Sequence, residues 1–258
     1  MVKSFSEERK IMILEEIEQQ ERVLVVDLVN KLHVSNTTIR RDLYELAKDN
    51  LIIRTHGGAL VYNKFSQSIE SKIEDRKIIN LTEKKKIAKK AKEFINDGDC
   101  IILGGGTTVL ELAKILTNFN KLKVITYSFE IAIELSKNIN IDLTIIGGKL
   151  NRISSILTGI EAINYLRTIN VDKLFFSVSG IDIKKGLTSP LSIDAEIISE
   201  IMDHCNINYL MADYTKLGKI FFKQIKPVDA IDKLIIDNKI DAENVKELEN
   251  LGIDVIIS

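Results

Sequence analysis

From residue 100 onward, short β-rich runs alternate with stretches of helical spacing, and this alternation limits the fold more than any other feature of the chain. The runs are 100–103, 123–126, 143–146, 174–178, 207–211, 234–236 and 255–257. Between them, 109–116, 131–137, 160–169, 195–203 and 243–251 carry apolar residues at helical spacing. A helix between two strands returns the chain to the end of the sheet where it started, so such strands run parallel. The expected architecture is an α/β sandwich. At 258 residues and 45% hydrophobic, the chain can bury a substantial core and fits one small domain plus one medium one.

The small domain is legible in 34–59, VSNTTIRRDLYELAKDNLIIRTHGGA. Ser35 can cap a helix over 36–48 in which Ile39, Leu43 and Leu46 fall on one face for burial. Asn36, Thr37, Arg40, Arg41 and Tyr44 share another face, while Asp42 and Glu45 point away from it. A helix that reads DNA needs this sorting, because Arg forks onto guanine and Asn onto adenine while carboxylates repel phosphate. Asn50 suits the left-handed helix stop. A wing follows, with a strand over 51–53, a reversal at Gly57-Gly58, a returning strand over 59–62, and Arg54 and His56 near the tip. Upstream, 7–18 carries Ile11, Leu14 and Ile17 as an apolar stripe, and 26–32 forms a second helix before a turn at His33-Val34.

Residues 63–80 are polar without a steady period, which suits a linker. The expected organisation is thus a winged helix-turn-helix over 1–62, a linker over 63–80 and an α/β domain over 81–258. Thr82 opens a helix with Ile87, Ala88, Ala91, Phe94 and Ile95 inward and Lys84, Lys85, Lys86, Lys89 and Lys90 outward. The net charge of -1 and pI near 6.4 exclude a protein that coats nucleic acid by bulk electrostatics, so DNA contact must come from local patches. Cys100 and Cys205 lack the spacing of a zinc site and are expected to be buried thiols in a reducing cytoplasm. Neither a leader peptide, a membrane span, a metal nor a cofactor is expected.

In parallel sheets, ligands bind in the loops that leave the carboxyl ends of the strands. Four such loops stand out. Gly104, Gly105, Gly106, Thr107 and Thr108 offer bare backbone N–H groups, hydroxyls and a helix start, all suited to phosphate. Thr126-Tyr127-Ser128 follows the next strand and Gly147-Gly148-Lys149 the one after. Asp213, Thr215 and Lys216 add a carboxylate and a cation after a later strand. Their convergence points to a small anionic ligand.

The residues Ser35, Thr38, Ile39, Arg40, Arg41, Asp42 and Leu43, followed by Arg54, His56, Gly57, Gly58 and Ala59, closely resemble the winged helix-turn-helix of the DeoR family of bacterial regulators. The resemblance extends over nearly the whole chain, to that family's sugar-phosphate-sensing domain, itself similar to ribose-phosphate isomerases and coenzyme A transferases. It implies that Gly106, Thr107 and Thr108 bind phosphate and that Ser128, Asp182, Glu196 and Lys216 lie around the sugar. The chain departs from the family at two places. Gly104-Gly105 stands where Asp-Ser is usual, and Tyr127 where Asn is usual. Loss of a carboxylate and a hydroxyl implies a ligand that is more anionic or less hydroxyl-dependent, or one placed by Tyr127. Restoring the carboxylate with Gly104→Asp suggests itself as a test.

The leading functional expectation is a transcriptional regulator, a repressor of a sugar-metabolism operon. It would bind double-stranded operator DNA as a homodimer or homotetramer and leave it on binding a phosphorylated sugar. The alternative is a sugar-phosphate isomerase-like enzyme with an accessory DNA-binding head, using Glu196 and Asp213 as acid/base groups. A nonspecific architectural DNA protein conflicts with the near-zero net charge.

Overall fold

The computed structural model describes residues 6–20, 22–48, 52–55, 57–61 and 73–258, and the chain divides into two units, Met1–Gln67 and Ser68–Ser258. Asn50 and His56 lie outside the described residues, as do the side chains of Ile11 and Arg54.

The first unit closes around apolar residues from three helices, α1 (Ser6–Gln20), α2 (Val25–Leu32) and α3 (Asn36–Lys48). Three short strands complete it: β1 (Arg22–Leu24), β2 (Ile52–Thr55) and β3 (Gly58–Val61), paired antiparallel in the order β1-β3-β2. Ile39, Leu43 and Leu46 are buried, as their spacing predicts. On α1 the buried pair is Ile13 and Ile17, with Leu14 half-buried, so the inward stripe is rotated from the expected one. The rotation follows from α1 packing on β1 and β3 as well as on α3. β1 itself was not expected. It explains Gly58, where a Cβ would come within 1.9 Å of the Val23 carbonyl oxygen.

Asp42 is 2% exposed and accepts two hydrogen bonds from Arg9 of α1, at 2.5 and 3.0 Å. The carboxylate that the helical wheel turned away from the polar face thus pins α1 to α3. Its bonds to the guanidinium hold the Arg9 pKa above its ordinary value.

The second unit opens with α4 (Ile73–Ile78) and α5 (Leu81–Lys92). The last part of the stretch read as linker is therefore helical, and residues 62–72 lie outside the described ones. Lys84 is buried rather than outward, its ammonium donating to the Arg76 carbonyl at 2.5 Å. Beyond it come β4 (Cys100–Leu103), α6 (Thr107–Lys114), β5 (Leu122–Thr126), α7 (Phe129–Leu135) and β6 (Ile141–Ile145). A two-stranded excursion, β7 (Lys149–Asn151) and β8 (Ile156–Thr158), precedes α8 (Ile160–Leu166) and β9 (Val171–Phe176). Then β10 (Gly180–Asp182) and β11 (Gly186–Ser189) lead to α9 (Ser192–Met202), β12 (Cys205–Ala212) and β13 (Lys223–Lys226). The chain finishes with β14 (Lys233–Ile236), α10 (Ala242–Asn250) and β15 (Asp254–Ile257).

All seven expected β runs join one parallel sheet, in the order β15-β14-β12-β9-β4-β5-β6. Alternate residues face opposite cores, as strand geometry requires. Ile101, Leu103, Phe175 and Met211 meet α5, α6 and α7, while Ile102, Phe176 and Leu210 meet the layer holding Ala162, Leu166, Ala195, Ile201 and Leu248. Apolar residues on both sides explain why these strands read as near-continuous hydrophobic runs. The excursions β7–β8 and β10-β11-β13 were not expected, because strands of three or four residues carry almost no period. Cys100 and Cys205 are half-buried free thiols, and burial raises both pKa values, Cys205 to about 12. Among the described residues no helix is long and apolar enough to cross a membrane.

The Arg9–Asp42 pair yields a stability prediction. Asp42→Ala leaves a guanidinium buried without its carboxylate, and removing one partner of such a pair costs about 3–5 kcal/mol. Chemical denaturation should show the first unit destabilised by that amount while the transition of the parallel-sheet unit stays in place.

Candidate functional site: a DNA-reading head and a strand-end cleft

In the head, α2 ends at His33 in a left-handed conformation (φ 51°, ψ 41°), which turns the chain into α3. The Ser35 hydroxyl oxygen accepts from the Thr38 N–H at 3.2 Å, the N-cap that the sequence predicts. Ser35, Asn36, Thr37, Arg40, Arg41 and Tyr44 are exposed and Thr38 is half-buried. Asn36 Oδ1 accepts from Arg40 Nε at 2.7 Å, so the amide and the guanidinium are presented together. Arg41 differs from expectation: its Nε donates to Glu45 at 3.2 Å, and Glu45 also meets Lys10 at 2.7 Å. Glu45 therefore reaches the edge of the polar face and engages Arg41 through Nε, while the guanidinium stays exposed. In the wing, Gly57 is exposed and the backbone of Arg54 pairs with Ala59.

In the second unit, strand order creates the site. From β4 the chain builds outward through β5 and β6, then returns to place β9 on the other side of β4. Loops that leave two such strands diverge to opposite faces of the sheet and leave a crevice between them. A cleft lies there, lined by Gly105 and Gly106 after β4, by Tyr127 after β5 and by Ser177, Val178 and Ser179 after β9. Ile153, Ser154 and Ile156 close one side, Ser189, Pro190, Leu191, Asp194 and Ile198 another, and Arg76 reaches in from α4. Gly106 adopts φ 117°, a backbone that L side chains rarely take, and starts α6 with its peptide dipoles aimed at the crevice.

The cleft holds one carboxylate and one guanidinium of opposed character. Burial raises the Asp194 carboxyl to about 6 against a hydrogen bond from Ser154 (3.1 Å) and the field of Arg76. Burial also lowers the Arg76 pKa, with Asp194 opposing. Arg76 belongs to a second cluster as well. Burial brings the Lys216 ammonium down to about 8; Asp213 opposes this, while Arg76, Lys219 and Lys84 reinforce it. Burial works against ionisation of Asp213, yet Thr215, Lys216 and Asn80 together hold its carboxyl below the usual range. Asn80 Nδ2 donates to Asp213 at 3.0 Å, tying the turn before α5 to the end of β12. Each of these buried cations has a carboxylate opposing the effect of burial: Asp194 at Arg76, Asp213 at Lys216, and Asp213 with Glu111 at Lys84.

The expected ligand residues separate into groups. Gly105, Gly106 and Tyr127 line the cleft. Gly104 is buried beneath it, and Thr107, Thr108 and Ser128 are buried at the starts of α6 and α7. Asp213 and Lys216 sit in the cationic cluster. Gly148 and Lys149 are exposed where β7 begins. The Asp182 carboxylate is occupied by the N–H groups of Lys184 (3.0 Å) and Lys185 (2.7 Å), which caps the β10–β11 turn. Glu196 is exposed on α9. Six polar cleft side chains were missed: Arg76, Ser154, Ser177, Ser179, Ser189 and Asp194. The rule that ligands sit at strand ends would have found Ser177 and Ser179 after β9, but no local signal marks the others.

The two departures at the cleft floor prove to be one. A Cβ on Gly104 would lie 3.0 Å from Phe176 Cβ and 3.1 Å from the Tyr127 hydroxyl. One on Gly105 would lie 2.7 Å from Ile156 Cγ2. Gly104→Asp alone would therefore overpack the floor, and it is unsuited to restoring a carboxylate.

Residues 9–65 match the family model described as a DeoR-like helix-turn-helix domain, and residues 79–238 match that of the DeoR C terminal sensor domain. The chain is 35% identical over 254 residues to the HTH-type transcriptional regulator GolR of Listeria innocua, covering 98% of this chain and 99% of that one. It is 34% identical over 254 residues to the HTH-type transcriptional repressor GlcR of Bacillus subtilis, with 98% and 97% covered. It is 30% identical over 237 residues to the lactose phosphotransferase system repressor of Lactococcus lactis, with 91% and 92% covered. Among solved structures, ribose 5-phosphate isomerase A from Methanocaldococcus jannaschii matches with a TM-score of 0.41 and 21% identity, covering 54% of this chain and 56% of that one.

Asp194 gives a pH prediction. Its carboxyl is raised from 3.8 to about 6, so below 3.8 it is neutral in folded and unfolded chains alike and costs nothing. Between those values the unfolded chain ionises first, and above 6 the cost of the buried charge is fully present. Asp194→Asn should leave the melting temperature near that of the parent at pH 3.5 and raise it relative to the parent above pH 6.

Proposed function

The chain belongs to the DeoR family of transcriptional regulators, and we propose that it is a repressor that binds the operator of a sugar-metabolism operon and releases it when a phosphorylated sugar fills the strand-end cleft. One observation carries this reading. A single chain holds both an exposed Asn36-Thr37-Arg40-Arg41-Tyr44 face on a capped helix and a cleft at the switch point of a parallel sheet.

The head reads double-stranded DNA with Asn36, Thr37 and Arg40 toward base edges and Ser35, Thr38, Arg41 and Tyr44 toward the backbone. Arg54, His56 and Gly57 in the wing add contacts to phosphate or the minor groove. A homodimer or homotetramer matches the two-fold symmetry of such operators. In the cleft, the Gly105-Gly106 turn, the start of α6 and Arg76 take the phosphate, while Asp194 and the serine hydroxyls meet the sugar. Release requires the ligand to bind one arrangement of the chain better than the other, since only a difference in affinity moves that equilibrium.

The isomerase-like alternative needs a proton-transferring carboxylate at the ligand. Glu196 is exposed on α9, and Asp213 is engaged by Asn80 and Thr215. Both facts favour binding without turnover, and Asp194, the carboxylate that does line the cleft, is the group an enzyme would have to use. Incubation with ribose 5-phosphate and glucosamine 6-phosphate tests this, and conversion of either would establish an enzyme.

The direct test is binding of the full chain to DNA upstream of its own and neighbouring genes, with and without phosphorylated sugars. Arg40→Ala should weaken binding of that DNA by about 1–3 kcal/mol if Arg40 reads guanine, with folding unchanged. Arg54→Ala should weaken specific and nonspecific DNA alike and reduce the salt slope by roughly one unit. Equal affinity of the parent for every DNA sequence would refute the operator reading.

A further inference from the structure

Gly104 and Gly105 have no left-handed backbone that would call for glycine. What they share is a neighbour. A Cβ on Gly104 would meet the Tyr127 hydroxyl at 3.1 Å, and one on Gly105 would lie 3.9 Å from the Tyr127 ring. The phenol therefore stands where side chains from the end of β4 would otherwise project. Tyr127 is 1% exposed and belongs to the cleft lining, and its hydroxyl is buried, with the Gly105 N–H close enough to act on it but not in the geometry of a full hydrogen bond. Burial raises its pKa well above the ordinary phenol value, and the Gly105 N–H does not offset this, so the group stays neutral.

A polar atom buried without a full hydrogen bond carries a desolvation cost, so the ring must be held there by its shape. Ile156 lines the cleft with it and approaches the same glycine, Gly105, which makes this part of the wall apolar. A ligand hydroxyl laid against such a wall gives up water and finds no partner. A C–H face loses nothing and gains dispersion contact with the ring.

We infer that Tyr127 is the specificity-determining residue of the cleft: with Gly104 and Gly105 it forms an aromatic floor that selects phosphorylated sugars or polyols bringing an unhydroxylated face to it. The inference rests on the reading of this cleft as the effector site. The hydroxyl of Tyr127 fills space under the floor, against Gly104, and does not contact the ligand. The charged end of the ligand stays with Arg76 and the Gly106 turn, so the floor sorts ligands without supplying their phosphate affinity.

Calorimetry on the full chain tests this with glucose 6-phosphate, its 2-deoxy and 3-deoxy forms, and inorganic phosphate as a charge-only control. The parent should prefer at least one deoxy compound to glucose 6-phosphate by about tenfold or more, the scale on which a pocket sorts ligands differing by one group. Tyr127→Phe should keep that preference and melt no lower than the parent, because only a hydroxyl without a full hydrogen bond is removed. Tyr127→Asn should bring the compounds to within about twofold of one another, since a polar amide replaces the ring. If that variant does not fold, the parent and Tyr127→Phe decide the matter. A parent that prefers glucose 6-phosphate, or a Tyr127→Phe chain that loses its preference, overturns the inference. Binding without any preference overturns it and leaves the effector reading intact, whereas binding of none of the sugar phosphates overturns both.

Discussion

The adjacency of β4 and β9 in the parallel sheet is the constraint on which the rest of the second unit depends. These strands are far apart in sequence yet share a ladder from Ile101–Lys173 to Leu103–Phe175, which the Gly104 N–H extends to the Phe175 carbonyl at 2.8 Å. Because the chain builds outward on both sides of this pair, the loops beyond it part and leave backbone N–H groups facing a crevice. Both layers of helices keep the strands dry, so the crevice is where polar groups can be exposed without disrupting the core. Gly106, with its positive φ, lets the chain turn from β4 into α6 at that point.

Beside the crevice, burial lowers the pKa of Arg76, Lys84 and Lys216, with Asp194 opposing this at Arg76 and Asp213 at the two lysines. Burial thus disfavours the charged form of each, and a nearby anion would offset that cost. Of the three, Arg76 on α4 lines the cleft. The head follows a different logic, in which one buried ion pair, Arg9–Asp42, orients α3 and leaves the opposite face free of that carboxylate.

Much of this was legible in the residues. Strand positions could be read because strands buried on both faces are near-continuous apolar runs, and α3 because Ile39, Leu43 and Leu46 repeat at helical spacing. Strand order could not, since no local pattern tells β9 to sit beside β4, and Asp194, on a helix rather than at a strand end, therefore remained hidden. Arg76 was hidden for another reason: it lies in a short helix inside a polar stretch whose period is too brief to detect. Lys84 read as one of five solvated lysines because burial of a single member of a basic run depends on a carbonyl from another element. The glycines at the floor were visible as a departure, but their link to Tyr127 is a matter of distance in space.

The claim that unites the two units is energetic coupling between operator and ligand, and coupling is reciprocal: each must change the affinity of the other by the same factor. The most direct measurement is the dissociation constant of operator DNA with and without saturating sugar phosphate, set beside that of the sugar phosphate with and without saturating operator. Equal weakening in the two directions, by about 5–150-fold for ordinary coupling energies, is the predicted result. Operator affinity that does not change when the cleft is saturated would contradict the account.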